Sequence, residues 1–184
     1  TRLLTVTGVQ TCALPIYCAG TTCTYAEEMT NYANWYAYYR TRMQMMKTSA
    51  SLAFQTIGSN YRVGFMSINN NTGTDFVNID TFDNTQKRAW LVKFFAATPN
   101  NSTPLRVALS KAGRMYAGKL AGSSINGVTS TDPLQYSCQQ NFTILSTDGY
   151  WNGDAGYKVD GSIAVGNQDG VDSRPFNDGA TLVL

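Results

Sequence analysis

The chain has 184 residues, 43% of them hydrophobic and 14% charged, so it is long enough to bury a core in one domain and too apolar for a disordered polyelectrolyte. Lys and Arg number 14 against 12 Asp and Glu, a net charge of +2 with no basic block, which argues against a nucleic-acid partner. There is no His, so the commonest general base near neutral pH and the commonest transition-metal ligand are both missing, and many hydrolase mechanisms go with them.

The chain opens on TRLLTVTGVQTCALPIY, and GVQTCALPI is similar to a peptide produced when sequencing-adapter DNA is translated. Residues 1–17 are therefore read as a non-native lead, and Cys12 is set aside in disulfide counting. Neither a signal peptide nor a run of about 20 apolar residues is visible, so no direct membrane insertion is expected. The other cysteines, Cys18, Cys23 and Cys138, form no CxxC unit, against a zinc ribbon or a redox dithiol. A surface rich in Asn, Thr, Tyr and Gly suits an extracytoplasmic setting, where Cys18 could bridge either Cys23 or Cys138.

Thr24-Tyr25-Ala26-Glu27 is a capping box that starts a helix. Met29, Tyr32, Ala33, Tyr36, Tyr39, Met43, Met46, Ala50, Phe54 and Ile57 then recur at three- and four-residue spacing up to Gly58, predicting one long helix whose Tyr and Met face packs into a core. A sticky binding surface is the other reading of that face. YRVGFMSI (61–68) and DFVNIDTF (75–82) are strand candidates around the turn residues NNNTGTD. Asp83 can cap a helix carrying Trp90, Leu91, Phe94 and Phe95. Thr103 can cap the next, with Pro104 at its first position, running through Leu105, Ala108, Leu109, Ala112 and Met115 to the Gly118 neighbourhood.

Residues 119–137, rich in Gly, Ser, Asn and Asp-Pro, read as a surface connection. NFTILSTDGYWN (141–152) follows: a β-branched run from Phe142 to Ser146 predicts a buried strand that ends at Thr147, Asp148 and Gly149. Residues 149–180 form a long Gly-, Asp- and Asn-rich loop. Strand, helix, helix, strand favours an α/β sheet with covering helices. In such sheets ligands gather at the carboxyl ends of strands, the position expected for Asp148, with Thr103 brought to the same rim. A hydroxyl and a carboxylate are hard oxygen donors suited to Mg2+ or Ca2+, though two are too few for a six-coordinate ion. Taken alone, Thr103 is an N-cap worth about 1 kcal/mol and Asp148 an Asx turn. Asp154, Asp160, Asp169 and Asp172 read as turn carboxylates, because GNQDGVDSRPFNDG lacks the spacing and terminal Glu of a calcium loop.

Three stretches carry a family resemblance: YAEEMTNYANWYAYYRTRMQMMK (25–47), STPLRVALSKAGRMYAG (102–118) and YSCQQNFTILSTDGYWNG (136–153). With them, residues 18–180 resemble the N-terminal region of the type IV pilus tip-associated adhesin family PilY1/PilC, which contains a von Willebrand factor A-like domain. The resemblance implies an incomplete von Willebrand factor A-like (Rossmann-type) α/β sheet over residues 18–184. It also implies a divalent-cation-dependent adhesion site in which Thr103 matches the loop Thr and Asp148 the strand-end Asp. The DxSxS motif that completes such a site is missing, and Asn101-Ser102 replaces the family's frequent paired glycines. The chain thus reads as an internal fragment whose Mg2+ or Ca2+ would be held only in the complete parental domain.

The function implied is non-enzymatic: adhesion or pilus assembly at the cell surface, pilus tip or outer membrane, with pilus components or a host or surface ligand as partner. A metal-assisted or paired-carboxylate hydrolase is the alternative, weakened by the lack of a second carboxylate beside Asp148. A purely structural pilus-assembly domain is the third reading.

Overall fold

The computed structural model describes residues 17–69, 76–99, 102–147, 149–152 and 155–162. The chain divides into two compact units, with the boundary between Thr56 and Ile57.

In the first unit the predicted long helix is two helices, α1 (Tyr25–Tyr38) and α2 (Arg42–Gln55). The break comes from a second capping box. Thr41 accepts from the Gln44 amide, and the Gln44 side chain takes the Thr41 amide at 3.0 Å. Gln44 also donates to the carbonyl of Ala37 at 2.9 Å, and the Thr48 hydroxyl donates to that of Tyr38 at 2.9 Å. Side chains of α2 thereby satisfy the carbonyls orphaned where α1 stops. The first capping box, Thr24 with Glu27, forms as the sequence predicts. Core packing of the Tyr and Met face does not: neither helix has a buried residue, and Met29, Tyr32, Tyr36 and Met46 are exposed. The Cys18–Cys23 disulfide forms just before α1, which decides between the two pairings, while Cys138 is exposed and unbridged.

The second unit is a small mixed α/β assembly. Strands β1 (Arg62–Met66) and β2 (Phe76–Thr81) pair antiparallel, with a register shift between Val63 and Phe65. Gly64 sits in that shift, where a Cβ would lie 2.7 Å from the Val77 carbonyl oxygen and 3.0 Å from the Ile79 amide. Helix α3 (Asn84–Ala96) is capped by Asp83, as expected. Its Gln86 side chain donates to the carbonyls of Val63 at 2.8 Å and Asn78 at 2.7 Å, one on each strand, beside the shift. Bulges leave ladder groups unpaired, and here a helix side chain takes up carbonyls on both strands.

Trp90 and Phe94 of α3 stack at 4.8 Å, with the rings of Phe65 and Phe82 edge-on to them. Met66, next to Phe65 and so on the other side of the strand, belongs with its cross-strand partner Phe76 to a second cluster. Met115 of α4 (Leu105–Tyr116), Leu120, Ile125 and Val128 complete it. The stretch read as a surface connection therefore supplies core. Strands β3 (Ser124–Ile125) and β4 (Val128–Thr129) form a hairpin around Asn126 and Gly127, both at positive φ. Asn-Gly favours such a two-residue turn because both positions need the left-handed region. The Asn78 side chain ties the hairpin to β2, donating to the Thr129 carbonyl at 2.9 Å and accepting from the Thr131 amide at 3.0 Å. No helix among the described residues is long and apolar enough to cross a membrane.

Candidate functional site

Of the predicted site residues, Thr103 lies just ahead of α4. That helix buries Leu105, Ala108 and Met115, one stripe at helical spacing. Its entry differs from the predicted one. Pro104 occupies the N-cap position with φ −81° and ψ 65°, and the Leu105 amide donates to the Thr103 carbonyl at 2.9 Å. This is an inverse γ-turn centred on proline. It turns Thr103 out of capping geometry, so no side chain caps α4.

Thr103 is held instead by Asn152. Its amide donates to Asn152 Oδ1, and the Asn152 amide donates back to the Thr103 carbonyl at 3.1 Å. The two bonds join the backbone at Thr103 to the segment that holds Asn152. Asp148 itself lies outside the described residues, as do Asp154, Asp169 and Asp172. On either side of Asp148, Gly149 has φ 103° and donates its amide to Thr147 Oγ1 at 3.3 Å, a turn closed by a hydroxyl.

Described residues between 142 and 162 touch α4 at both of its ends. Tyr116, in the last turn, donates its hydroxyl to the Phe142 carbonyl at 2.7 Å. Asn152 meets the N-terminal end through Thr103. Gly156 lies so close to the Arg106 carbonyl that a Cβ would stand 2.8 Å from that oxygen, and Arg114 Nε donates to the Val159 carbonyl at 3.2 Å. Glycine at 156 thus lets the backbone touch the helix.

The buried strand expected over 142–146 is absent. Residues 142–147 have no regular secondary structure and are exposed, Phe142 at 76% and Ile144 at 78%. The reason is non-local: a strand needs a neighbour's amides and carbonyls, and β1 pairs with β2 alone among the described residues. The carbonyl of Phe142 goes to a tyrosine hydroxyl instead.

The electrostatics around α4 are basic. Burial pulls the Lys111 ammonium below its ordinary range, with Arg114 adding to the effect, and burial pushes the Tyr116 phenol up. No acidic residue lies in the first turn of α4. Asp160 keeps a depressed carboxyl because it accepts from Ser162, as a turn carboxylate does. Among the described residues no three His, Cys, Asp or Glu converge on one point, so these residues do not by themselves fit a divalent ion. Asn152, the residue that holds Thr103, was not singled out by sequence reasoning. Its signal was an Asn-Gly pair inside one of the family-like stretches, since an Asn amide readily replaces a backbone partner.

No family model matches the chain, and no solved structure matches it significantly. The chain is similar to proteins named type IV pilus biogenesis factor PilY1 from Pseudomonas aeruginosa. It is 35% identical to that of strain PAO1 over 173 residues, covering 83% of this chain and 14% of the relative. To that of strain PAK it is 34% identical over 168 residues, covering 84% and 13%. To that of strain UCBPP-PA14 it is 34% identical over 131 residues, covering 67% and 11%. The homology is of moderate identity, and the chain spans about one seventh or less of these relatives.

Proposed function

We propose that this chain is part of a larger cell-surface type IV pilus factor, that it serves adhesion or pilus assembly without catalysis, and that its NSTPL and STDG loops form part of a divalent-cation-dependent adhesion site. The observation that carries the reading is the paired hydrogen bond between Thr103 and Asn152. It joins two residues that lie 49 apart in sequence. Both belong to stretches that resemble the pilus adhesin family, and each stretch holds a residue that the resemblance assigns to the ion. The similarity to type IV pilus biogenesis factors supports a pilus partner and a surface location. The Cys18–Cys23 disulfide supports an oxidising compartment.

In this reading Thr103 offers a hydroxyl and Asp148 a carboxylate, and the remaining ligands come from the longer protein. The positive end of the α4 dipole beside Thr103 works against a bare cation. Carboxylates must therefore supply the compensating charge, and a partner's carboxylate can be the last of them. An open ligand position filled by a partner makes adhesion depend on both cation and partner charge with no bond made or broken.

The test is calorimetric titration of Mg2+ and of Ca2+ into the longer protein, alongside its Asp148→Asn and Thr103→Ala variants, with circular dichroism to establish folding. Saturable one-site binding, lost in Asp148→Asn and weakened in Thr103→Ala, is the expected result. A folded parent that takes up neither ion refutes the cation site and leaves a structural assembly role for the joined loops.

A further inference from the structure

The first unit is built in a way that makes its order depend on its ends. Helices α1 and α2 have 14 residues each and no buried residue. Isolated helices of about 12–15 residues are marginal in water, because nucleation is costly and only packing or end contacts offset it. The start of α1 has an unusually complete set of end contacts, and they reach beyond the helix.

Glu27 divides its carboxylate between two partners. Oε2 accepts from the Thr24 amide at 2.7 Å and from the Thr24 hydroxyl at 2.9 Å, while Thr24 Oγ1 accepts from the Glu27 amide at 3.3 Å, the reciprocal half of the capping box. Oε1 accepts from the Ala19 amide at 2.9 Å, and Ala19 lies inside the loop closed by Cys18 and Cys23. One turn further along the same helix face, Asn31 accepts from the Tyr17 amide at 3.3 Å and donates towards Cys23 Sγ at 3.9 Å. Two side chains of α1 therefore grip the loop closed by Cys18 and Cys23, Glu27 at Ala19 and Asn31 at Cys23, and the disulfide keeps that loop short, with its Cα atoms 4.8 Å apart.

We propose that the Cys18–Cys23 disulfide is an oxidation-dependent clasp: α1 is ordered from Thr24 onward when the bond is closed and loses its first turns when it is opened. Opening is a thiol–disulfide exchange. A dithiol delivers two electrons and two protons, the S–S bond breaks, Cys18 and Cys23 become thiols, and the reductant leaves as its own disulfide. The loop then samples many conformations, and the Ala19 amide and Cys23 sulfur are no longer presented to Glu27 and Asn31. The consequence is a unit that completes its fold only in an oxidising compartment, while the second unit, which has its own core, is indifferent to the bond.

The experiment is amide hydrogen exchange by mass spectrometry on the full chain carrying Cys12→Ser and Cys138→Ser, so that only the clasp responds to reductant. Exchange is compared in the oxidised chain, in dithiothreitol, and in a further Cys18→Ser/Cys23→Ser variant. Reduction is expected to raise exchange over residues 19–31 at least tenfold, to leave α3 and β1–β2 unchanged, and to be reversed by reoxidation, with the Cys18→Ser/Cys23→Ser chain matching the reduced one. Equal exchange over 19–31 in the oxidised and reduced chains overturns the proposal. So does a loss of protection that extends through α3, because the bond would then act on the whole chain and not on the start of α1.

Discussion

Replacing Gly64 by Ala places one methyl group where the β1–β2 register shift leaves no room. The added Cβ would lie 2.7 Å from the Val77 oxygen, 2.8 Å from Ile79 Cγ1 and 3.0 Å from the Ile79 nitrogen. Carbon contacts are comfortable at about 3.5–4.0 Å, so all three neighbours must give way. The Ile79 side chain can rotate, but the other two atoms are β2 backbone and move only if the strand shifts against β1. Overpacking of this kind costs about 1–3 kcal/mol, and two fixed backbone neighbours put this site in the upper part of that range. Ala also restricts the unfolded chain, which returns about 0.4–1 kcal/mol. The expected net loss is about 1–2 kcal/mol. Urea unfolding followed by Trp90 fluorescence, in a Trp35→Phe/Trp151→Phe background, reads it as a lower midpoint with an unchanged denaturant slope. An unchanged or raised midpoint would refute the reasoning, since the strands would then be free to separate at the shift.

Two further outcomes concern the first unit. Thr41→Ala removes the hydroxyl that accepts from the Gln44 amide, and a lost cap is worth about 1 kcal/mol; exchange at Gln44 and through the first turn of α2 is expected to quicken about fivefold while α3 stays unchanged, and equal rates would show that the break between the helices needs no cap. The Glu27 carboxyl is held low by the Thr24 amide first and the Ala19 amide second. A depressed folded value means that the cap is fully present above the ordinary glutamate range and is lost as pH falls through the folded value. Amide resonances of Ala19 and Thr24 should therefore hold steady through that range, move only at lower pH, and fail to titrate in Glu27→Gln; titration at an ordinary glutamate pH would contradict the observed bonds.

Local chemistry made much of this fold legible. Thr24 with Glu27 and Asp83 ahead of α3 announce helix starts, and the β-branched runs at 61–68 and 75–82 announce strands. Two features were also written locally but were overshadowed. Thr41-Arg42-Met43-Gln44 is a capping box hidden within a continuous apolar period, and Asn126-Gly127 is a hairpin turn hidden in a polar stretch. The failure at 142–146 is different in kind: Phe142, Thr143 and Ile144 have strand composition, but pairing depends on a neighbour that composition cannot supply. The same holds for Thr103, whose backbone is claimed by Asn152 far along the chain. At Thr103, then, the sequence shows the residue but not the Asn152 that holds it.

The exposed run Phe142–Leu145 also bears on how this polypeptide behaves in a tube. It is uncharged, free of proline, rich in strand-forming residues and exposed, with Phe142 and Ile144 more than three-quarters accessible. Such a segment is a template for self-stacking, because identical runs can satisfy one another's backbone groups in register. Concentrated solutions of the chain should therefore aggregate through this run, and a single lysine at Ile144 should act as a gatekeeper that keeps the molecules apart.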